Sequence, residues 1–218
     1  MRFVLSRLPK REKFYIVMGR TKWKFGRTPI NVLILGIIYK KQCFAFCWEL
    51  LDKQGNSSTK QRKDLLNRAI EILWKERTWG LICDREFIGV RWFKYLFDQQ
   101  IEFHIRVPAR LKAGSVLLGN RKQLDWLFKH WKENIKVDHP IQLVVLGYKL
   151  WVSAMKSSKG YCIVVSRFEN LNSLEKYQLR WTIENMFGAF KTRGFNFEDT
   201  HMRDLEKLKK LIALVSIA

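Results

Sequence analysis

The ten residues from Ile30 to Tyr39, INVLILGIIY, form an apolar run that limits what this chain can become. A bilayer-spanning helix needs about 20 apolar residues, so this run is too short to cross a membrane. A second run, Gln42 to Trp48 (QCFAFCW), follows after only Lys40-Lys41, which is hairpin spacing. An earlier apolar run, Phe14 to Met18, precedes both, so the chain is expected to open on three antiparallel strands. That first strand is expected to stop at Gly19 and pass into a basic, aromatic turn, Arg20-Thr21-Lys22-Trp23-Lys24. Glycine at a strand end marks a tight turn or a close backbone approach. Open sheets also place ligand chemistry at strand ends.

Beyond the turn Gly55-Asn56-Ser57, the stretch Ser58-Thr59-Lys60-Gln61 has the pattern of a capping box. The helix it opens carries Leu65, Leu66, Ala69, Ile70 and Leu73 on one side and is expected to run to about Glu76. Next comes a short buried strand, Trp79 to Cys83, ending in Asp84, then a helix with Phe87, Trp92, Tyr95 and Leu96, then a strand, Ile101 to Val107. This β-α-β pattern predicts a parallel pair in an α/β fold. From Pro108 to Arg167 the pattern changes to basic loops, a helical piece around Gln123 to Lys132, and alternating strands Tyr148 to Met155 and Tyr161 to Ser166. A long helix is expected from Asn172 or Ser173 through Lys191, and a final one from Met202 to Ala218. The chain divides accordingly into 1–107, a mainly β insertion at 108–167, and a helical part at 168–218.

Lysine and arginine number 41 against 20 aspartate and glutamate, a formal charge of +21, far more than solubility requires. Between Met1 and Arg27 there are nine basic residues and one acid, Glu12. The basic residues interleave with strand patterns instead of lining an amphipathic helix, which favours nucleic acid over a membrane surface as the polyanion. Cys43, Cys47, Cys83 and Cys162 lie inside apolar segments without zinc or redox spacing and read as core residues in a reducing compartment. The four histidines are scattered, and the basic start has too short an apolar stretch for a signal peptide.

The segment YQLRWTIENMFGAFK places Tyr177, Arg180, Glu184 and Lys191 within a stripe of roughly 60° on an ideal helix. Leu179, Ile183, Met186, Phe187 and Phe190 gather on another face. Such a stripe is ordinarily a solvated face. Asp84 at the carboxyl end of a strand supplies a second carboxylate, and two carboxylates with phosphate-seeking Arg and Lys suit two-metal phosphodiester chemistry.

The spacing Tyr-x2-Arg-x3-Glu-x6-Lys, matched in full by Tyr177, Arg180, Glu184 and Lys191, resembles the signature of a large group of bacterial insertion-sequence transposases of the DDE type. Asp84-Arg85-Glu86-Phe87, Leu51-Asp52-Lys53-Gln54-Gly55-Asn56-Ser57, Gly147-Tyr148-Lys149-Leu150 and Lys191-Thr192-Arg193-Gly194-Phe195-Asn196 are similar to that group as well. The resemblance implies an RNase H-like mixed sheet flanked by helices, with a mainly β insertion before the last catalytic helix. It implies Asp84 and Glu184 as the second and third acidic ligands of Mg2+ or Mn2+ in a two-metal site. Tyr177, Arg180, Lys191, Arg20 and Lys24 would touch DNA phosphates, and a tryptophan of the insertion, Trp126, Trp131 or Trp151, would stack on a displaced base, with a core role the alternative for each. Partners would be double-stranded DNA, as transposon ends and target, and a second copy on paired ends, in the bacterial cytosol at the nucleoid, with no membrane and no small-molecule substrate.

The first acidic ligand of the group belongs at the end of the first strand, in a stretch like Asp-Arg-Thr-Asn-Trp-Lys-Phe-Gly, and this chain has Gly19-Arg20-Thr21-Lys22-Trp23-Lys24-Phe25-Gly26. Glycine stands where the acid is expected, and the nearest acids are Glu12 and Glu49. Some eighteen residues precede Gly19, so the group's end-reading N-terminal domain and its usual C-terminal continuation are expected to be missing. Two functions follow: a catalytic domain for cleavage and strand transfer, or a catalytically silent, DNA-binding relative. A basic structural or RNA-packaging protein would account for the charge but not for the Tyr-Arg-Glu-Lys spacing.

Overall fold

A computed structural model describes residues 2–25, 28–51, 54–73, 77–115, 121–139, 141–169, 172–200, 202 and 204–216. Along the chain run α1 (Arg2–Arg7), β1 (Phe14–Phe25), β2 (Thr28–Tyr39), β3 (Gln42–Leu51), α2 (Thr59–Leu73), β4 (Thr78–Cys83), α3 (Val90–Asp98) and β5 (Phe103–Val107). There follow β6 (Lys112–Ser115), β7 (Arg121–Gln123), α4 (Leu124–Leu127), β8 (Lys136–Asp138), β9 (Leu143–Val145), β10 (Tyr148–Ser157) and β11 (Gly160–Ser166). The chain ends with α5 (Ser173–Gln178), α6 (Trp181–Lys191), a 3₁₀ turn at Phe197–Thr200 and α7 (Leu205–Val215). The fold comprises two compact units, residues 1–79 with 180–218, and residues 80–179.

In the first unit β1, β2 and β3 form the expected antiparallel meander. The first strand does not stop at Gly19. It runs on to Phe25, with Gly19 opposite Ile34, Arg20 opposite Leu33 and Trp23 opposite Ile30. The basic stretch keeps the two-residue alternation of a strand, with Lys22 exposed and Trp23 completely buried, and β2 is long enough to pair all of it. Trp23 lies 5.3 Å from Phe197 edge-on and 6.3 Å from Phe190, which itself stacks on Phe197 at 5.3 Å. Such ring pairs add about 0.5–1.5 kcal/mol each beyond area burial. Helix α2 starts on the predicted capping box: Ser58 N–H donates to Gln61 Oε1 at 2.8 Å, and Gln61 N–H donates to Ser58 Oγ at 3.2 Å. Leu65, Leu66, Ala69 and Leu73 are buried as expected, together with Arg62, while Ile70 is only half-buried. The expected end near Glu76 lies outside the described residues.

In the second unit the strands are ordered β4-β5-β11-β10-β9-β6-β7, with β8 beside β10. Strands β4 and β5 are parallel, as the β-α-β pattern requires, and the remaining pairs are antiparallel. Phe87 belongs to the turn before α3, where its N–H donates to Asp84 O at 2.9 Å. The helical piece expected around Gln123 to Lys132 is confined to α4, with turns beyond it. His104 on β5 is fully buried and meets Ser173 Oγ through Nδ1 at 3.2 Å. Ser173 Oγ donates to Ser166 Oγ, and Ser166 Oγ to Phe168 O. With its proton on Nδ1 the imidazole completes a donor chain ending on a carbonyl. Burial and the nearby Lys176 charge push His104 down to about 3.

The single long helix expected from Asn172 or Ser173 to Lys191 is two helices. Leu179 N–H closes on Lys176 O and Ile183 N–H on Arg180 O, three-residue turns that interrupt the α-helical ladder although Leu179 and Arg180 keep right-handed helical angles. Tyr177 therefore stands on α5 and is buried, while Glu184 and Lys191 stand on α6 and are half-buried, so the expected solvated stripe is not what these residues form.

Candidate active site

Gly19 is buried on the face of β1 that α6 covers. Ile183, Met186, Phe187 and Phe190 form the buried side of that helix. A β-carbon on Gly19 would stand 2.8 Å from Ile183 Cδ1 and 3.2 Å from two ring carbons of Phe187. Glycine here permits the close approach of helix to strand, and the space of its missing side chain is taken by hydrocarbon. The position lies against the turn of α6 that carries Glu184. Position 19 offers no oxygen to a metal ion.

Glu184 is partly exposed and accepts a charge-assisted hydrogen bond from Arg180 Nη1 at 2.6 Å. Arg180 is largely buried, its guanidinium 5.6 Å from the exposed ring of Trp181. Lys191 is half-buried in the last turn of α6.

Asp84 belongs to the second unit, directly after the fully buried end of β4. It accepts a hydrogen bond from the hydroxyl of Tyr177 at 2.9 Å. Tyr177 is buried, so its polar end is satisfied by this carboxylate.

Arg20, expected on phosphate, is a clamp in the structure. Its Nη1 donates to Asn31 Oδ1 at 3.1 Å and its Nη2 to Asn56 Oδ1 at 3.2 Å, while Asn31 Nδ2 donates to Gly55 O at 2.9 Å. The guanidinium thereby ties the Gly55-Asn56-Ser57 turn to β1 and β2. Sequence reasoning missed Asn31 and Asn56. The available signal was Asn31 itself, an amide in an apolar strand, since a buried amide demands a partner. The side chain of Lys24 lies outside the described residues.

Of Trp126, Trp131 and Trp151, Trp126 is 44% exposed, with Lys122 Nζ 3.5 Å and Lys129 Nζ 4.7 Å from its ring centre. Trp131 packs edge-on against Phe128 at 5.2 Å, and Trp151 is half-buried within β10. Of these three, Trp126 alone combines an exposed ring with flanking cations.

A two-metal site needs several hard oxygen donors on a shared pair of ions. Among the described residues no group of three His, Cys, Asp or Glu side chains could hold a metal ion. Glycine occupies the first position, Glu184 is engaged by Arg180 and Asp84 by Tyr177. The residues present do not fit the three-carboxylate site that the resemblance implies.

No curated protein matches the chain. Among solved structures, the large terminase from a thermophilic bacteriophage, in its crystal form 3, is 17% identical over 47% of this chain and 25% of its own, with a TM-score of 0.31. Crystal form 2 of the same terminase is 17% identical over 45% and 24%, with a TM-score of 0.30. The chain thus spans about a quarter of the terminase length. The family model of the transposase DDE domain matches residues 18–218, nearly the whole chain, and the mixed α/β architecture is the RNase H-like fold of that domain. The chain belongs to the DDE transposase family.

Proposed function

We propose that this chain is the catalytic domain of an insertion-sequence transposase of the Tyr-Arg-Glu-Lys signature group, and that this copy grips DNA without cutting it. The family to which it belongs points to an origin in metal-dependent cleavage and strand transfer at transposon ends. The observation that carries the reading is at Gly19, where Ile183 and Phe187 fill the space of the absent acid beside the turn that bears Glu184. Losing a metal ligand removes most two-metal activity. The DNA-binding half rests on the family, on the +21 charge and on exposed cations such as Lys122 and Lys129 beside Trp126. Residues 108–167 serve as the insertion and Trp126 as its base-stacking residue. Two copies would hold paired ends at the bacterial nucleoid.

The test combines binding and cleavage on one labelled duplex. Affinity should fall steeply with salt, with a log-log slope near −0.9 for each phosphate neutralised. Neither Mg2+ nor Mn2+ should produce nicks. Nicking by the unmodified chain that Glu184→Gln abolishes would overturn the silent half of the proposal, and salt-insensitive binding would overturn the nucleic-acid half.

A further inference from the structure

Beyond the signature residues, the first unit carries a further cation, Arg193, over the turn of α6 that follows Glu184. The backbone leaving α6 turns sharply: Thr192 N–H and Arg193 N–H both donate to Gly188 O, at 3.0 and 2.9 Å, and Phe195 N–H donates to Ala189 O at 3.0 Å. This turn folds Arg193 back along the helix. A β-carbon on Gly188 would overlap Arg193 Nη2 and stand 2.6 Å from its Cζ and Nε, so the guanidinium lies directly on the glycine. Gly188 is one helical turn from Glu184, about 6 Å along the axis. Together Arg180, Glu184, Gly188 and Lys191 span a stripe of roughly 80°.

Two further facts separate Arg193 from an ordinary surface arginine. Arg180 on the same stripe is committed to Glu184, whereas among the described residues the Arg193 guanidinium makes no hydrogen bond or ion pair. The residue is exposed, its backbone is held by the turn hydrogen bonds, and its guanidinium occupies the space that Gly188 leaves open. A guanidinium held in place with its donors unspent is the geometry that binds phosphate in two-pronged fashion.

We infer that Arg193, seated on Gly188, is a DNA-phosphate contact beside Glu184, additional to Tyr177, Arg180 and Lys191. The inference rests on the proposed DNA grip of this domain. The glycine serves to admit the guanidinium to the helix surface, so Gly188 and Arg193 act as one device.

The test measures binding of the full chain to a fluorescein-labelled duplex of mixed sequence over a salt series, for the parent, Arg193→Ala, Gly188→Ala and the double variant. Arg193→Ala should weaken binding about fivefold at low salt and lower the magnitude of the salt slope by about 1. Gly188→Ala keeps every charge and raises helix propensity, so it should fold at least as well as the parent. It should nevertheless lose affinity to a similar degree, because the new methyl displaces the guanidinium. The double variant should be no weaker than Arg193→Ala alone, the non-additivity of a shared interaction. Parent-like binding by Arg193→Ala, or additive losses in the double variant, overturns the inference while leaving the DNA grip intact. A parent that shows no salt-dependent binding removes the grip and the inference with it. Circular dichroism and thermal melts identify a folding defect, and Arg193→Lys, which preserves charge but not the two-pronged fork, should recover part of the loss if phosphate is the ligand.

Discussion

Gly19→Asp introduces the acid that the resemblance implies at this position into space that is already taken. The new β-carbon would meet Ile183 Cδ1 at 2.8 Å and the Phe187 ring at 3.2 Å. The first contact involves the rotatable end of a side chain, and moving Ile183 off its rotamer costs about 0.5–1.5 kcal/mol. Phe187 must also yield slightly, and overpacking of this kind costs about 1–3 kcal/mol in total. The carboxylate is buried against hydrocarbon, so desolvation adds to the cost while no cation is bound. A net loss of about 2–3 kcal/mol should lower the melting temperature by about 4–12 °C for a chain of this size. Ile183→Val deletes the clashing methyl. On its own it should cost about 0.5–1.5 kcal/mol, and in the Gly19→Asp background it should be close to neutral, a coupling of about 1 kcal/mol. Thermal melts in EDTA measure all four proteins. Adding Mn2+ should then raise the melting temperature of Gly19→Asp by mass action and leave the parent unmoved. A Gly19→Asp protein as stable as the parent, with no coupling to Ile183→Val, refutes the packing argument. A parent stabilised by Mn2+ as strongly as the variant refutes the claim that position 19 decides metal binding.

Tyr177→Phe removes the 2.9 Å hydrogen bond to Asp84 and should cost about 1–2 kcal/mol in urea unfolding at neutral pH, with little change in m-value. Burial pushes the Glu102 carboxyl up to about 7, against the opposing pull of the Phe168 N–H, Lys176, Arg167 and the Phe103 N–H. The folded protein then keeps a proton that the unfolded chain releases above about 4.5, so this group's contribution to stability declines as pH rises to 7 and is constant beyond. His104, held near 3, acts in the opposite sense, costing stability as pH falls below 6.5. Glu102→Gln should therefore be about 2 kcal/mol more stable than the parent at pH 8, and its stability should climb steadily from pH 4 to 6.5 as the His104 effect is unmasked, which urea titrations across pH will check. Trp126→Ala should lose about 1–3 kcal/mol of affinity for a duplex carrying an unpaired base and little for a fully paired one, as measured by fluorescence anisotropy.

The meander, the capping box, the parallel β4-β5 pair and the placement of Asp84 at a strand end were legible because each rests on local periodicity or a short pattern. The extension of β1 past Gly19 was not, since Arg20, Lys22 and Lys24 mask an alternation that only a long partner strand brings out. Nor was the break between α5 and α6. Leu179 and Arg180 are good helix formers, so no residue type marks the interruption, and tertiary packing decided it. The Arg20 clamp joins residues 36 apart in sequence, beyond the reach of any window, although the buried Asn31 hinted that a partner was needed. For the candidate site, sequence identified both carboxylates and the glycine but not their partners. The assignment of Arg180 to Glu184 and Tyr177 to Asp84 depends on where each side chain points.

Those partners bear on how a chain of this family keeps its fold without its first acid. Clustered carboxylates repel one another, and a site built for a divalent ion ordinarily leans on that ion for relief. Here each remaining carboxylate is satisfied within its own unit, Glu184 by the guanidinium one helical turn before it and Asp84 by a buried phenol. At position 19 the absence of a side chain lets Ile183 and Phe187 close on the strand, so hydrophobic packing takes the place of a third negative charge. Removing the acid and closing the helix onto β1 therefore act in the same direction, toward a core that needs no cation to hold together. The same packing opposes reversal. Reintroducing an acid at position 19 means displacing Ile183 and Phe187, so recovered metal binding carries a packing cost that a smaller side chain on α6, as in Ile183→Val, would lower.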